Sequence, residues 1–322
     1  MANVWLVTGG GGFIGSNLVR ALLERGRRVR VLDNFLTGFR ENLHEVRDRI
    51  DLREADIRDP DACRRACDGA EVVFHQAAVP SVPRSMEDPA LSFDANVVGT
   101  HNMLMAARGA CVRRFVFAAS SSAYGANEEL PKRESMALEP LSPYAAAKAS
   151  GELFCSTFHR AYGLQTVSLR YFNVFGPRQD PTNQYAGVIA AFALRMLRGE
   201  RPTIFGDGTQ SRDFTHIDNI VRANLLAAEA PQVHGEVVNI GCGAAVDLNA
   251  MARMFNEVLG TSLEPIYAPP RAGDVKHSLA DISAARVLLG YEPVTSFRDG
   301  LRRTIAWYRE AMETGYGGWG KR

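Results

Sequence analysis

Residues 4–15, VWLVTGGGGFIG, decide the fold of this 322-residue chain. The apolar run VWLV is typical of a short strand buried in a parallel sheet, and a helical pattern follows over residues 16–25. Between them, Gly9, Gly12 and Gly15 have the spacing G-x-x-G-x-x-G. Glycines in such a turn permit close approach of a pyrophosphate, whose charge the helix N-terminus stabilises. The stretch therefore predicts a dinucleotide-binding unit and not merely a flexible glycine turn.

Strand and helix patterns alternate along the first half of the chain. Further strands are predicted at residues 29–32, 50–54, 72–74, 114–118 and 166–170. This alternation indicates an α/β fold with a doubly wound parallel sheet. After residue 176 the rhythm breaks, so we predict a cofactor domain over 1–176, with segments near 213–245 returning to it, and a smaller α/β substrate lobe over most of 177–322. Residues 315–320 are expected to fray.

Composition excludes several function classes. With 37 basic and 36 acidic residues the net charge is +1, which gives no electrostatic case for nucleic acid or a membrane surface. No apolar run approaches the length of a membrane span. The five cysteines form no paired metal motif, because Cys63-x-x-x-Cys67 has no second pair. We therefore predict a cytoplasmic protein with reduced thiols, no metal, no nucleic-acid partner and no membrane partner.

Acidic residues follow the second and third strands. Asp33, followed by Asn34, lies about 20 residues after the glycines, where a carboxylate binds ribose hydroxyls and repels a 2′-phosphate. This position favours NAD over NADP. Asp56 and Ile57 are placed to meet adenine, although Asp56 would alternatively serve as a turn former.

The fourth strand leads into small residues that would let the backbone approach the cofactor. These are Ala77 and Ala78, which follow His75 and Gln76. For His75 we favour a buried structural role over a catalytic one.

A helix beginning at residues 142–148, SPYAAAK, carries the candidate base. Ser142 can cap it, Pro143 suits its first turn, and Tyr144 and Lys148 then lie at i and i+4 on one face of a helix over 144–162. An ammonium beside a phenol favours the phenolate, which would let Tyr144 act as a base below the usual tyrosine pKa of ~10. Taken alone, this spacing is more often a solvated helix face.

Other candidate groups lie in loops. Residues 120–122, three serines, follow the fifth strand, and their hydroxyls would hold a substrate hydroxyl against Tyr144; the alternative is a serine-rich turn. Arg212 and Arg271 lie in loops of the second lobe, where their forked donors suit a diphosphate; lone arginines are otherwise surface charges.

Over nearly its whole length the chain resembles the extended short-chain dehydrogenase/reductase superfamily, which has the Rossmann fold. Within it, the chain is most similar to nucleoside-diphosphate-sugar 4-epimerases, especially bacterial UDP-N-acetylglucosamine 4-epimerases. The matching motifs are residues 8–15, 33, 56–57, 120–125, 144–148, 171–176 and 211–214, and the closest stretches are 33–38, 81–85, 120–125, 141–144 and 273–283.

The resemblance implies a transient oxidation at carbon 4 of a UDP-sugar by a retained NAD. Tyr144 would remove the 4-hydroxyl proton, and the 4-keto sugar would turn about its diphosphate before it is reduced on the other face. Lys148 would lower the tyrosine pKa and bind the nicotinamide ribose. The active hydroxyl would be Ser120, with Ser121 and Ser122 as close alternatives.

The resemblance also assigns the remaining site residues. Cofactor-binding residues are Gly9, Gly12, Phe13, Ile14, Gly15, Asp33, Asn34, Gly38, Asp56, Ile57, Gln76, Ala77, Ala78, Asn96, Tyr144, Lys148 and Tyr171. Substrate-binding residues are Ser81, Ser121, Ser122, Asn173, Val188, Arg212, Arg271, Asp274 and Ser278. It implies a homodimer through helices near 93–107 and 144–161.

Two positions narrow the chemistry. Dehydratases of this superfamily have an acid pair where this chain has Ser121 and Ser122, which disfavours dehydration. At Ser278 a tyrosine would exclude an N-acetyl group and a small residue admits one, so UDP-N-acetylglucosamine and UDP-N-acetylgalactosamine are favoured. The alternatives are UDP-glucose/UDP-galactose epimerisation, a UDP-uronic acid epimerase or decarboxylase with Arg84 as its extra cation, and a non-enzymatic NAD-sensing scaffold.

Overall fold

The computed structural model describes residues 3–182, 187–270 and 275–318, and within them the strands and helices follow the predicted alternation. The strands are β1 (Val4–Thr8), β2 (Arg28–Asp33), β3 (Ile50–Glu54), β4 (Ala70–His75), β5 (Arg114–Ser120), β6 (Gln165–Tyr171), β7 (Val174–Phe175), β8 (Thr203–Phe205), β9 (Ser211–Arg212), β10 (Thr215–His216), β11 (Glu236–Ile240), β12 (Val246–Asp247), β13 (Ile266–Ala268) and β14 (His277–Ser278).

The helices connect these strands and build the second lobe. They are α1 (Phe13–Glu24), α2 (Pro60–Cys67), α3 (Val82–Glu87), α4 (Pro89–Phe93), α5 (Gly99–Gly109), α6 (Pro143–Tyr162), α7 (Val188–Leu197), α8 (Ile217–Glu229), α9 (Leu248–Leu259), α10 (Ser283–Leu289) and α11 (Phe297–Thr314). Shorter helical segments are 3₁₀ turns at Arg40–Arg49, Ser121–Tyr124 and Tyr316–Gly318 and a π turn at Asp94–Val98.

Seven parallel strands form the central sheet in the order β11-β6-β5-β4-β1-β2-β3. Helices cover both faces, so a strand such as β1 is buried at all five residues and is apolar at consecutive positions. The predicted fold class, a doubly wound Rossmann sheet, is therefore confirmed. All the carboxyl ends of its strands lie at one edge, where an open α/β sheet places its ligand site.

Three hydrophobic cores organise the molecule. One lies between the sheet and α1, α8 and α10, and a second lies on the opposite face under α2, α5 and α6. The third is separate from the sheet and is built from α7, α9 and α11. This third core supports the proposed boundary near residue 176, although α10 shows that the chain also returns to the sheet after residue 245.

Two local features were not predicted from the sequence. The helix expected near residues 93–107 contains the π turn at Asp94–Val98, where the Asn96 side chain accepts from the Val79 amide at 2.9 Å and donates to the Val79 carbonyl at 3.3 Å. The segment expected to fray is ordered at Tyr316, whose hydroxyl donates to the Asn42 side chain. Residues 319 and 320 of that segment lie outside the described residues.

Candidate active site

A cleft of about 1080 Å³ lies at the carboxyl edge of the sheet. Its sheet-side wall consists of the loops that follow β1 to β6. Its lobe-side wall includes Arg212 on β9, Ser278 on β14 and Val275, which precedes β14. The cleft is larger than the usual range for one small ligand, about 300–1,000 Å³, and so has room for two nucleotides.

The glycine-rich turn is shaped as a cradle in the sheet-side wall. Gly9 has φ +69°, and a Cβ there would lie 2.7 Å from the Ala77 backbone. A Cβ on Gly15 would lie 2.1 Å from the Gly9 carbonyl oxygen. Side chains are thus excluded from the turn, which leaves backbone amides and the N-terminus of α1 facing the cleft. This arrangement fits a dinucleotide diphosphate.

The Asp33 carboxylate is held beside this turn. Gly11 N donates to its Oδ2 and Phe35 N to its Oδ1, both at 2.7 Å. Burial raises the pKa of Asp33, while the two backbone hydrogen bonds and the Arg40 charge oppose the rise. Each carboxylate oxygen can accept more than one bond, so Asp33 retains lone pairs for ribose hydroxyls.

Asn34 and Asp56 meet at the outer end of the same wall. Asn34 Nδ2 donates to Asp56 Oδ2 at 2.7 Å, and Arg58 forms an ion pair with the same carboxylate, which lowers the pKa of Asp56. Arg58 N also donates to Asp56 Oδ1 at 2.8 Å. Asp56 is therefore a turn former, and it also lines the cleft as the adenine prediction requires.

His75 is fully buried behind the cofactor loop, as its predicted structural role requires. The Thr100 hydroxyl donates to the Asn96 carbonyl, so His75 Nε2–H donates to Thr100 Oγ1 at 3.0 Å and Nδ1 accepts from Thr8 at 2.8 Å. Burial lowers the pKa of His75 to about 3. The neutral ring thereby positions Thr8, whose hydroxyl oxygen accepts from Ala77 N at 3.2 Å.

The candidate catalytic hydroxyls form a chain. Ser120 Oγ accepts from Ser122 N at 3.2 Å and from Ser122 Oγ at 2.9 Å. Its own proton is left to donate toward the Tyr144 phenol, to which it is hydrogen-bonded. Among the three serines, this geometry favours Ser120 as the hydroxyl that acts together with Tyr144.

The start of α6 is fixed by two serines. Ser142 caps it as predicted, accepting from Ala145 N at 3.2 Å, and the buried Ser85 of α3 accepts from Tyr144 N at 3.1 Å. Both hydroxyls satisfy amides that the first helical turn leaves unpaired. The tyrosine backbone is consequently held to both its own helix and α3.

Lys148 lies on the buried face of α6, 4% exposed, and is not among the residues that line the cleft. Its Nζ donates to the Ala118 carbonyl at 2.7 Å and lies 5.9 Å from the centre of the Tyr144 ring. Burial lowers the pKa of Lys148 to about 8. Burial also raises the pKa of Tyr144, which the Ser120 hydrogen bond offsets only in part. The predicted lowering of the Tyr144 pKa is therefore wrong for the chain by itself.

Short strands position the lobe-side wall. β9 pairs with β14, which places Arg212 beside Ser278. The intervening anchor is Asp213: its backbone N donates to the Ser278 carbonyl at 2.8 Å, and its buried carboxylate accepts from Cys242 N, Gly243 N and Ala280 N at 2.8 to 3.2 Å. Burial raises the pKa of Asp213 against these hydrogen bonds.

An adjoining pocket of about 270 Å³ continues the cleft into the second lobe. It shares Asn173 and Arg212 with the cleft and is otherwise lined mainly by apolar side chains, among them Val188, Phe205 and Phe214. Asn173 has φ +30° and donates through Nδ2 to the Asp213 carbonyl at 3.2 Å.

The structure brings most of the predicted residues together. In the cleft are Gly9, Gly12, Phe13, Ile14, Gly15, Asp33, Asn34, Gly38, Asp56, Ile57, Gln76, Ala77, Ala78, Tyr171, Ser81, Ser120, Ser121, Ser122, Tyr144, Asn173, Arg212 and Ser278. Asn96 and Lys148 lie behind its wall, and Val188 lies in the adjoining pocket. Arg271 and Asp274 fall outside the described residues.

Among the described residues, three basic side chains that line the cleft had no predicted role: Arg58, which pairs with Asp56, Arg178 and Lys132. Arg178, with φ +70°, donates to Asn17 Oδ1 of α1 at 3.1 Å and so lies near the glycine-rich turn. Lys132 also lines the cleft; its Nζ donates to the Asn127 carbonyl and burial lowers its pKa. Arg178 and Lys132 sit in irregular segments, where no periodic pattern reveals the direction of a side chain.

All five cysteines are free, and Cys63 and Cys67 are buried on α2, where burial raises the pKa of each thiol to about 12. Within the described parts of the chain, no group of three or more His, Cys, Asp and Glu side chains converges as metal ligands.

Over the same described ranges, none of the helices combines the length and the apolar character needed to cross a membrane.

Residues 5–241 match the NAD dependent epimerase/dehydratase family. A putative UDP-glucose 4-epimerase of Methanocaldococcus jannaschii is 39% identical over 311 residues, which is 96% of this chain and 99% of that protein. The structure of a Thermotoga maritima UDP-glucose 4-epimerase with UDP-glucose is 42% identical, with a TM-score of 0.91, and covers 96% of this chain and 99% of that one.

A second solved structure is equally similar in shape. It is a UDP-N-acetylglucosamine 4-epimerase from Methanobrevibacter ruminantium in complex with UDP-N-acetylmuramic acid, 38% identical with a TM-score of 0.92 over 96% of this chain and 99% of that one. The predicted family and the predicted NAD cofactor are confirmed. The chain belongs to the NAD dependent epimerase/dehydratase family, whose cofactor its glycine-rich turn and Asp33 are shaped to hold.

Proposed function

We propose that this NAD-dependent UDP-sugar 4-epimerase acts on N-acetylated UDP-hexoses and interconverts UDP-N-acetylglucosamine and UDP-N-acetylgalactosamine. The observation that carries the proposal is Ser278, a small side chain on the lobe-side wall of the cleft that contains Tyr144. Its pairing with Arg212 places it next to the residue proposed to hold the diphosphate. A small hydroxyl there leaves room for a 2-acetamido group.

Tyr144 and Ser120 are proposed to act on the sugar 4-hydroxyl. The Ser122–Ser120–Tyr144 chain positions the phenol oxygen, and we propose that the sugar 4-hydroxyl binds beside both Ser120 and Tyr144. When bound, NAD supplies a hydride acceptor that later returns the hydride. In its phenolate form, Tyr144 takes up the hydroxyl proton and gives it back after the sugar has turned, which is general base and then general acid catalysis.

The diphosphate and base are proposed to lie on the second lobe. Arg212 offers forked donors to the diphosphate, and Asn173 lies between the cleft and the adjoining pocket that contains Val188. Holding the nucleotide there while the sugar turns would present either face of carbon 4 to the same cofactor, which is a positioning effect.

Two other sugars compete with this proposal. UDP-glucose fits any pocket that admits the larger acetamido sugar, and the Thermotoga relative was crystallised with it. A UDP-uronic acid requires a cation near the sugar carboxylate, and Lys132 now joins Arg84 as a candidate on the cleft wall. Its Nζ is engaged by the Asn127 carbonyl, which reduces its fit to that role.

Proton NMR of the purified holoenzyme with each sugar nucleotide tests the proposal. With UDP-N-acetylglucosamine and no added NAD, we expect the galacto epimer to accumulate. Conversion of UDP-glucose alone would refute the Ser278 argument and leave the plain epimerase. Conversion of UDP-glucuronate alone would establish the uronic acid alternative. No conversion of any of the three, even with added NAD, would revive the NAD-sensing scaffold.

We further propose a homodimer that forms through α4, α5 and α6. Large apolar side chains are exposed on these helices, namely Phe93 at 55%, Met105 at 44% and Leu153 at 69%. Light scattering of the purified protein should give twice the chain mass, 35.3 kDa. Leu153→Glu should reduce it to the single-chain value, and an unchanged mass would contradict this interface.

A further inference from the structure

Three hydrogen bonds hold Gly11 of the glycine-rich turn to residues outside that turn. Its amide donates to Asp33 at 2.7 Å, and its carbonyl accepts from Phe39 N at 2.9 Å and from Asn42 Nδ2 at 2.8 Å. Two of these three bonds come from the segment around the Arg40–Arg49 turn. Of the two donors to the Gly11 carbonyl, Phe39 lines the cleft and Asn42 does not, so the shape of the cradle depends in part on a residue behind its wall.

Asn42 is itself oriented by a residue 274 positions away in sequence. The Tyr316 hydroxyl donates to Asn42 Oδ1, and Arg20 Nη1 donates to the Asn42 carbonyl at 2.6 Å. The Asn42 side chain is 1% exposed, so it has no solvent partner for either end of its amide. With a donor fixed at Oδ1, the amide must direct its NH₂ group to the Gly11 carbonyl.

Tyr316 belongs to the second lobe. Its ring packs edge-on against Trp307 of α11, with ring centres 5.2 Å apart, and joins the third hydrophobic core. Its hydroxyl thus connects that core to the back of the glycine-rich turn. Burial raises the pKa of Tyr316, and the nearby charges of Arg178 and Arg20 oppose this rise without reversing it, so the hydroxyl keeps the proton that it donates to Asn42.

We propose that Tyr316 is a positioning residue for the bound dinucleotide: through Asn42 it holds the glycine-rich turn in the shape that retains NAD. Release of the dinucleotide then requires the turn to loosen, and the link to the second lobe opposes this. The proposal concerns cofactor retention and is independent of which UDP-sugar the enzyme uses.

The test is the exchange of NAD bound to the holoenzyme against an excess of radiolabelled NAD, without sugar. Tyr316→Phe keeps the ring on Trp307 and removes only the hydroxyl. Since one hydrogen bond contributes on the order of 1 kcal/mol, exchange should be about fivefold faster than in wild type. At saturating added NAD, the epimerase kcat and the sugar KM should match wild type, because the chemistry is untouched.

Tyr267→Phe is the matched control. Tyr267 also donates to an asparagine, Asn249 Oδ1, at 2.8 Å, but on the exposed surface of the second lobe. Its exchange rate should equal that of wild type. Equal exchange rates in the Tyr316→Phe and Tyr267→Phe proteins would overturn the proposal, and so would a loss of turnover in Tyr316→Phe that added NAD does not restore.

Asn42→Ala provides an independent check of the route. It should exchange NAD at least as fast as Tyr316→Phe, and the double variant should be no faster than Asn42→Ala alone, because both changes remove one connected link. Additive acceleration would show that Tyr316 acts by another path and would overturn the role assigned to Asn42.

Discussion

The sheet-side wall of the cleft rests on strands of five to seven residues, whereas the lobe-side wall rests on β9, β12 and β14, which have two residues each. On the sheet side, long parallel ladders and two hydrophobic cores determine where each loop begins. On the lobe side, one buried carboxylate, that of Asp213, joins three segments. The proposed reaction groups, Tyr144 and Ser120, thus lie on the wall that is supported by the central sheet. Ser278, which is proposed to select the sugar, lies on the wall that is supported by short strands.

This difference suggests a division of labour. A group that must keep a fixed distance to the cofactor benefits from a helix held at both Ser142 and Ser85. A group that only delimits space, such as Ser278, can sit on a two-residue strand. Substitution on the lobe-side wall should therefore alter sugar choice without disturbing the cofactor, whereas loss of a reaction group on the sheet-side wall should lower turnover of every sugar alike.

The largest expected effect is on the sheet side. Tyr144→Phe removes the proposed base, and turnover should fall about a thousandfold, within the range that acid–base groups contribute. NAD should still copurify, because the cradle is unchanged. NMR turnover rates and the absorbance of released cofactor would measure both. Tyr162→Phe, at the exposed end of the same helix, is the control, and activity within tenfold of wild type in Tyr144→Phe would exclude the assigned base.

On the lobe side, Ser278→Tyr fills the space proposed for the acetamido group. The ratio of kcat/KM for UDP-N-acetylglucosamine over UDP-glucose should fall about a hundredfold, as steric pocket changes of this kind allow. Ser278→Ala keeps the side chain small and should leave the ratio near that of wild type. Equal losses on both sugars in Ser278→Tyr would show that the residue does not select the substrate.

Asp213→Asn tests how much the lobe-side wall depends on one carboxylate. The amide presents NH₂ where backbone amides also donate, and the free energy of unfolding should fall by about 2 kcal/mol. The sugar KM should rise while NAD exchange stays constant. Thermal unfolding and steady-state kinetics check this, with the exposed Asp207→Asn as control. Faster NAD exchange in Asp213→Asn would break the proposed separation between the two walls.

The last expected effect concerns the acid stability of the sheet side. The folded-state pKa of His75 is about 3, whereas an unfolded histidine titrates near ~6.5. Between these values the unfolded chain binds the extra proton, so stability falls as pH decreases, by up to about 1.4 kcal/mol per pH unit from this group. Denaturant titrations from pH 6.5 to 4 should show a shallower loss in His75→Gln. An identical slope would contradict this origin.

The sheet was predictable because its signals are local. Parallel strands covered on both faces are continuous apolar runs, and the glycines of the turn lie at fixed spacings within a few residues of one another. The start of α6 was equally local, because Ser142 and Pro143 act on the first turn of their own helix.

The parts that sequence did not predict depend on distant partners. The π turn places Asn96 against Val79 in the loop after β4, and the Tyr316 hydroxyl bonds Asn42, which is 274 positions away in the sequence. The directions of side chains were not predictable either. The i, i+4 spacing placed Tyr144 and Lys148 on one face of a helix, but tertiary packing directs Lys148 Nζ to the Ala118 carbonyl. The shift in the Tyr144 pKa likewise follows from burial, which no short motif encodes.

The π turn at Asp94–Val98 has a consequence for chain length. A π turn accommodates one more residue than the α-helical turn it replaces. Deleting a single residue there would restore a regular helix but rotate every earlier side chain by about 100° relative to α5. Asn96 would then no longer face Val79, and both hydrogen bonds between the Val79 backbone and the Asn96 side chain would be lost from the loop after β4. The contact that holds the loop after β4 thus depends on the number of residues in this helix as well as on their identity.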